Sequence, residues 1–231
     1  MVTWSQAGAT TIEAVTIGSF ARVLLGKSFP AVGRFYRSLF VDLSKLVAAL
    51  PVIPPRARIL DVGGGDGEVV NELLARYPEA QVTMLDVSRA VGGALRPEFR
   101  DRVRVLPGMS LRAYAERNPE PPDLVVITDV IHHIAPSERN GFFADLRALV
   151  GASAVTIFIK DVEPGYLRAW LSYLSDRFIT GDRNVSLVSQ TELRRLVLDV
   201  FPDYEVEETP LMQTDRPNYA LVFRPAASRP R

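Results

Sequence analysis

The sequence predicts a doubly wound α/β domain, in which a mainly parallel sheet carries helices on both faces. Between residues 57 and 224, short apolar runs alternate with stretches whose apolar residues have helical spacing, as βα units require. A glycine-rich loop joins the first apolar run to the first helical stretch. The last two apolar runs have no helical pattern between them, which predicts a closing antiparallel pair of strands.

Each element follows from its own apolar pattern. Strands are expected near 57–62, 81–86, 102–106, 123–128, 154–160, 203–208 and 217–224. Helices are expected near 67–77, 88–95, 110–117, 137–149, 164–178 and 189–200. Ahead of the sheet, residues 1–50 predict two or three helices that end at Pro51. We therefore expect two parts, an N-terminal helical cap or lid over residues 1–56 and a ligand-binding domain over residues 57–231.

Length, charge and cysteine content exclude several classes of protein. A chain of 231 residues can bury a full α/β core. Its 27 basic and 27 acidic residues cancel, so no broad field for a nucleic-acid partner is expected. The absence of cysteine excludes disulfides, thiolate metal sites and cysteine nucleophiles. The apolar runs are too short to span a membrane, and no signal peptide is evident, so we expect a soluble cytoplasmic protein.

The glycine loop is the strongest sign of a ligand site. The run Ile59-Leu-Asp-Val-Gly-Gly-Gly-Asp-Gly67 places the loop between a buried strand and an amphipathic helix, where a nucleotide-like ligand can approach bare backbone. The second strand ends in Asp86, which is placed to accept the hydroxyls of a ribose. A dinucleotide site would need a further glycine three positions after its second glycine, where Glu68 or Val70 stands. Asp61 is instead placed to steer the amino group of an amino-acid moiety.

This loop resembles the first motif of the class I S-adenosylmethionine-dependent methyltransferases. The resemblance implies a Rossmann-like sheet of seven strands in the order 3-2-1-4-5-7-6, closed by an antiparallel hairpin. It also implies S-adenosyl-L-methionine as the cofactor. The cofactor contacts that it implies are Asp61, Gly63, Gly64, Gly65, Asp86, Val87, Gly108, Met109, Ser110 and Asp129. The family usually carries an aspartate after the third strand to bind the adenine amino group, and Met109 stands there, leaving Ser110 or backbone to read the adenine edge.

Both histidines of the chain, His132 and His133, follow the fourth strand. In a doubly wound sheet this strand exit faces the ligand crevice, and histidine is the natural base for a hydroxyl that attacks a methyl sulfonium. The stretch resembles the catalytic motif of small-molecule O-methyltransferases, which places the catalytic histidine on His132. In that motif a tryptophan stands where this chain has Ile134, so the match is partial. Packing or capping remains the alternative role for the pair, and no metal site is predicted.

The fifth strand ends in Lys160, Asp161 and Glu163, which predicts ionisable groups facing the acceptor pocket. Lys160 could pair with Asp161, bind an anionic substrate or favour deprotonation of a hydroxyl. A pair of Asp129 and Lys160 would resemble RNA 2′-O-methyltransferases, with Lys27 as a further lysine, although the neutral charge speaks against that reading. The candidate catalytic residues are therefore His132, His133, Lys160 and Asp161.

The resemblance implies a methyltransferase of secondary metabolism that acts on a small-molecule acceptor. The acceptor would be a hydroxyl of a natural product or lipid-like metabolite, bound in an apolar or aromatic pocket, and the chain would form a possible homodimer. One alternative is a member of the fold that binds the cofactor but catalyses decarboxylation or cyclisation. A less favoured alternative is an RNA 2′-O-methyltransferase. A partner protein that has lost the site is disfavoured by the intact loop and Asp86.

Overall fold

The computed structural model describes residues 43–117, 120–164, 185–209 and 218–226. Most of the expected N-terminal cap, the helix expected at 164–178 and Lys27 lie outside these residues. The described strands are β1 (Arg58–Val62), β2 (Gln81–Asp86), β3 (Val103–Pro107), β4 (Leu124–Thr128), β5 (Thr156–Val162), β6 (Tyr204–Glu208) and β7 (Asn218–Pro225). The described α-helices are α1 (Leu43–Ala48), α2 (Glu68–Arg76), α3 (Leu111–Arg117), α4 (Arg139–Val150) and α5 (Gln190–Val200). Short 3-10 helices span Pro97–Arg102 and Ile131–His133.

The seven strands form one sheet in the order β3-β2-β1-β4-β5-β7-β6. Strands β1 to β5 are parallel, and β7 runs antiparallel to both of its neighbours, β5 and β6. The order and the antiparallel closing hairpin confirm the predicted fold. In a parallel sheet of this kind, the carboxyl ends of β1, β2, β4 and β5 meet at one edge.

Both faces of the sheet are buried, which explains the continuous apolar runs of the central strands. Leu60, Val125 and Ile159 belong to the core on one face, which we call face A. Ile59, Val126 and Phe158 belong to the core on the other, face B. Since successive side chains of a strand alternate between faces, each strand-end residue is assigned to a face by its position.

Local sequence explains where the helices next to the site begin. Helix α2 starts after Gly67, whose φ of 90° is a left-handed conformation that glycine adopts without strain. Helix α5 starts after an N-cap serine, since the Ser189 hydroxyl accepts a hydrogen bond of 3.2 Å from the Glu192 amide. These two helices pack on the sheet through buried leucines, including Leu73 and Leu193.

The prediction of a helix at 88–95 is wrong. The chain there forms a bent loop that leads into the 3-10 helix at Pro97–Arg102. Gly92 has a φ of 73°, and its amide donates to the Gly65 carbonyl at 2.9 Å. The Ala94 amide donates to the Asp66 carbonyl at 2.8 Å. Hydrogen bonds to the glycine loop therefore replace those that a helix would have made.

Within the described ranges, no helix is long and apolar enough to cross a membrane.

Candidate functional site

The glycine loop packs so closely that two of its positions exclude a side chain. A Cβ on Gly63 would overlap a methyl group of Val130, and Gly63 also has a φ of 74°. A Cβ on Gly64 would overlap the Met84 side chain and lie 2.5 Å from an oxygen of Asp61. Both amides donate to the Leu85 carbonyl, at 2.8 and 3.2 Å. The loop is thus held to the end of β2 by backbone bonds, with the Asp61 carboxyl group directly below it.

Asp61 is a fully buried carboxyl group that has no hydrogen-bond partner among the described residues. Its side chain projects from face B of β1 and is 0% exposed. Neither carboxyl oxygen has a partner within the described residues. Burial, with a smaller contribution from the negative charge of Asp86, raises its pKa from 3.8 to about 7. A buried polar group normally finds a partner, because leaving it unsatisfied costs about 1–3 kcal/mol. The site therefore suits a cationic or hydrogen-bond-donating group.

Asp86 is held at the end of β2 by two backbone amides. One carboxylate oxygen accepts from Gly65 at 3.0 Å, and the other accepts from Ser88 at 2.7 Å. Each oxygen retains a further lone pair, so the carboxylate can still accept two donors. The next residue, Val87, is 76% exposed, so an apolar side chain lies open beside this carboxylate.

Residues 108–110 reach the same edge through their backbone. The Gly108 amide donates to the Ser88 carbonyl and the Met109 amide to the Asp86 carbonyl, both at 2.9 Å. The Ser110 hydroxyl accepts from the Ala113 amide at 3.2 Å and so caps the start of α3. Met109 packs partly buried against the core of face A. Asp86, Val87 and residues 108–110 thus form one rim.

Asp129 follows β4 and is bound by Lys160 in two ways. Its carboxylate accepts from the Lys160 ammonium at 2.6 Å, and its amide donates to the Lys160 carbonyl at 3.0 Å. Lys160 is 1% exposed, whereas the Asp129 side chain is 37% exposed. Asp129 is also the one non-glycine residue of the described chain with a positive φ, 57°. Lys160 therefore pairs with Asp129, and the proposed pairing with Asp161 is not formed.

His132 and Asp161 form a second, separate pair. The imidazole Nδ1 lies 2.6 Å from a carboxylate oxygen of Asp161, and the His132 amide donates to the other oxygen at 3.3 Å. Both side chains are almost fully buried. The Val162 amide donates to Asp161 at 2.7 Å. Burial by itself would raise the pKa of Asp161, but His132, the Val162 amide and Lys160 together lower it below 3.8.

His133 takes no part in this pair. It is exposed, and its ring centroid lies 4.2 Å from that of His132 at an angle of 44°.

Potential metal-ligand atoms of Asp129, His132 and Asp161 lie within 4.8 Å of one another, as a metal site would require. All three groups are engaged, however, since the Lys160 ammonium binds Asp129, and the His132 imidazole and the Asp161 carboxylate bind each other. Proximity of these atoms alone therefore does not define a metal centre.

Sequence reasoning missed the residues that support the His132 segment from behind. Arg139 is buried, and its guanidinium donates to the carbonyls of Ile134 and Ser186 and to the Glu192 carboxylate. The Ser186 amide donates to the His132 carbonyl at 2.8 Å. An arginine at the start of a helix gives no sign in the sequence that it is buried, because its acceptors come from distant segments.

The comparisons with known proteins agree with this geometry. A family described as "Methyltransferase domain" matches residues 34–200, which is most of the chain. A trans-aconitate 2-methyltransferase of Methylobacterium nodulans is 38% identical over 118 residues, covering 50% of this chain and 43% of that protein. A malonyl-[acyl-carrier protein] O-methyltransferase of Geobacter sulfurreducens is 27% identical over 167 residues, covering 67% of this chain and 61% of that protein. The chain thus spans about half the length of the curated relatives it matches.

Solved structures share the fold. The structure of human N-acetylserotonin methyltransferase in complex with SAM superposes with a TM-score of 0.61 at 15% identity. The match covers 90% of this chain and 55% of that one. At this identity the similarity establishes the architecture alone.

Proposed function

The chain belongs to the class I S-adenosylmethionine-dependent methyltransferases, and from this we propose that it binds S-adenosylmethionine at the glycine loop and transfers the methyl group to a small-molecule acceptor. Family membership rests on the domain match over residues 34–200 and on the seven-stranded sheet. Acceptor class, reacting atom and residue roles belong to the proposal. We also propose that residues 1–56 form a separate helical cap and that the chain forms a homodimer. A role in secondary metabolism and a place in the cytoplasm belong to the proposal as well.

The observation that carries the proposal is the Asp61 carboxyl group under the glycine loop, which has no partner among the described residues. S-adenosylmethionine carries an ammonium on its amino-acid part, and this cation would supply the partner that the described part of the chain does not. Ammonium and carboxylate in a buried site form a charge-assisted hydrogen bond. The close approach at Gly64, where a Cβ would lie 2.5 Å from the carboxyl oxygen, shows that Asp61 lies immediately beneath the bare backbone.

The rim at the ends of β2 and β3 would hold the nucleoside. The lone pairs that Asp86 retains can accept the two ribose hydroxyls, since its backbone bonds already fix its orientation. Val87 would cover its exposed surface by packing on the adenine ring. The Ser110 hydroxyl already caps α3, so the backbone of residues 108–110 is better placed than that hydroxyl to read the adenine edge.

For the chemistry, we assign His132 as the base and Asp161 as its orienting partner. A hydroxyl oxygen of the acceptor would attack the methyl carbon in line with the carbon–sulfur bond. As that bond breaks, its electron pair goes to sulfur, which leaves the neutral thioether S-adenosylhomocysteine, and the hydroxyl proton passes to the imidazole. Asp161 accepts at Nδ1, which fixes the ring and stabilises the imidazolium that forms. His133 is exposed and lies outside the pair, so we assign it no part in the proton transfer.

The proposal is tested by calorimetry with S-adenosylhomocysteine and by incubation with methyl-radiolabelled S-adenosylmethionine and a pool of hydroxylated metabolites. We expect the wild type to bind the product and to label an acceptor. Asp61→Asn should weaken binding by roughly tenfold or more, because a hydrogen bond to a charged group contributes about 1.5–3 kcal/mol. Asp101→Asn, an exposed aspartate on the 3-10 helix before β3, is the matched control. Binding without any labelled product would favour a non-methylating member of the fold, and absence of binding would contradict the proposal.

A further inference from the structure

Lys160 occupies an unusual position for a lysine. It lies near the end of the central strand β5 with 1% exposure, and its side chain projects from face B, as Phe158 does. An isolated ammonium in such a place is costly, so it requires a carboxylate partner. Asp129 supplies that partner at 2.6 Å. A methionine would fill the same space without this cost, which indicates that the charge has a use.

The first use is mechanical. Residue 160 binds residue 129 through both its ammonium and its carbonyl, and Asp129 has the left-handed φ of 57°. A non-glycine residue in that conformation is strained unless its surroundings hold it there. The following residue, Val130, packs directly on Gly63, where not even a Cβ would fit. Lys160 therefore holds the turn that lays Val130 on the glycine loop.

The second use is electrostatic. Asp161 is the next residue of β5 and projects from the opposite face, where it pairs with His132. The positive charge of Lys160 is among the influences that favour the ionised form of Asp161. One ammonium thus acts on a carboxylate beside the cofactor loop and on another in the candidate catalytic pair.

We propose that Lys160 is a positioning residue that couples the two halves of the site, clamping Asp129 beside the glycine loop while its charge supports the His132–Asp161 pair. It touches neither substrate nor cofactor in this role. The inference rests on the proposed function where it concerns the cofactor, but its effect on His132 is independent of any acceptor.

The groups that surround the pair define what a titration will report. After β4 lie Asp129, His132 and His133, and β5 contributes Lys160, Asp161 and Glu163. Tyr219 of β7 interacts electrostatically with Asp161 and Glu163, and also with Arg139 of α4 and Glu192 of α5. Replacing Lys160 removes one charge of this group and leaves both the His132 ring and its Asp161 partner in place.

The experiment uses Lys160→Met, Lys160→Arg and, as a control, Lys45→Met, which removes the same charge from an exposed position on α1. Calorimetry measures affinity for S-adenosylhomocysteine. NMR follows the titration of the His132 imidazole, which is accessible because the chain has two histidines and a His133→Gln variant assigns them.

We expect Lys160→Met to weaken product binding by about tenfold, since it removes the charge-assisted hydrogen bond that holds the turn. The His132 midpoint should move to higher pH, because a nearby positive charge that opposes the imidazolium is gone. Lys160→Arg should restore the His132 midpoint, and Lys45→Met should match the wild type in both measurements.

Breaking a buried ion pair can unfold a protein, so a double variant accompanies the single one. Lys160→Met with Asp129→Asn leaves no unpaired charge and keeps a residue that tolerates a positive φ. Loss of the Asp129 carboxylate opposes the upward shift, so its His132 midpoint should lie below that of Lys160→Met, while its affinity for the product should stay reduced. A folded Lys160→Met variant with wild-type affinity and an unchanged His132 midpoint, or a folded double variant with wild-type affinity, would overturn the inference. If the wild type binds no product, the proposed function fails and the His132 titration alone decides the role of Lys160.

Discussion

Asp61 and Asp161 are equally buried, but the described residues give them different hydrogen-bond partners. Both are fully buried, and both stand at the carboxyl ends of parallel strands. Asp61 has no hydrogen-bond partner among the described residues, and burial raises its pKa to about 7. Asp161 has the His132 ring, two backbone amides and the nearby charge of Lys160, and its pKa falls below 3.8 despite equal burial.

The difference shows which groups the protein completes by itself. The chain supplies every partner of Asp161, so this carboxylate belongs to preformed machinery. It supplies none for Asp61 within the described residues, which supports the proposal that the cofactor provides one. Burial alone therefore does not decide the charge of a buried carboxyl group, because the available donors decide it.

Removing the imidazole should have the largest effect, because it takes from Asp161 the partner that distinguishes it from Asp61. His132→Ala should lower turnover by about 100- to 10,000-fold, the usual contribution of a general base, with little change in cofactor affinity. Labelled methyl transfer and calorimetry measure the two quantities. His133→Ala, which removes an exposed ring from the adjacent position, is the control and should cost much less. Near-normal turnover in folded His132→Ala would leave positioning alone as the source of catalysis.

The pH dependence of stability should separate the two carboxyl groups by sign. Folded Asp61 keeps its proton up to about pH 7, whereas the unfolded chain loses it near 3.8, so its contribution is present below 3.8 and lost as the pH rises to about 7. Asparagine does not titrate. In the ligand-free protein, the unfolding free energy of Asp61→Asn relative to wild type should rise by about 4 kcal/mol between pH 4 and 7, at 1.36 kcal/mol per pKa unit.

Asp161→Asn should show the opposite trend in the same denaturant titrations. The pKa of Asp161 is lowered on folding, so its contribution is present above the unfolded value and is lost as the pH falls through the folded one. Parallel pH curves for wild type and Asp61→Asn would show that the Asp61 carboxyl group finds a partner in solution.

The smallest effect is expected at Asp86, which lies between the two cases because it has backbone partners and also free lone pairs. Asp86→Ala should weaken S-adenosylhomocysteine binding about tenfold, since it removes charge-assisted hydrogen bonds at the ribose. Calorimetry measures the loss, with Asp101→Ala as the control. Undiminished affinity would contradict the assignment to the ribose.

Several features of the fold could be predicted because their signals are local. Apolar runs of strand length, the glycines from Gly63 to Gly67 and the absence of a helical pattern between the last two apolar runs each depend on a few neighbouring residues. The prediction of a helix at 88–95 failed because the amides of Gly92 and Ala94 donate hydrogen bonds to the glycine loop. Such contacts between segments distant in sequence have no local signal. The site residues were identified by residue type at strand ends, and a pair of Asp129 and Lys160 was considered, but the His132–Asp161 pair was not predicted.

The sequence by itself determined the sheet, its glycine loop and the set of ionisable residues at the carboxyl edge, because strand periodicity and strand order bring those positions to one edge. Only the tertiary structure decided that Lys160 binds Asp129, that His132 binds Asp161 and that no described residue binds Asp61. Adjacent residues such as Lys160 and Asp161 project from opposite faces, and their partners come from other strands and turns. Distances of 2.6 Å between such groups depend on how the whole sheet twists and packs, which no local pattern encodes.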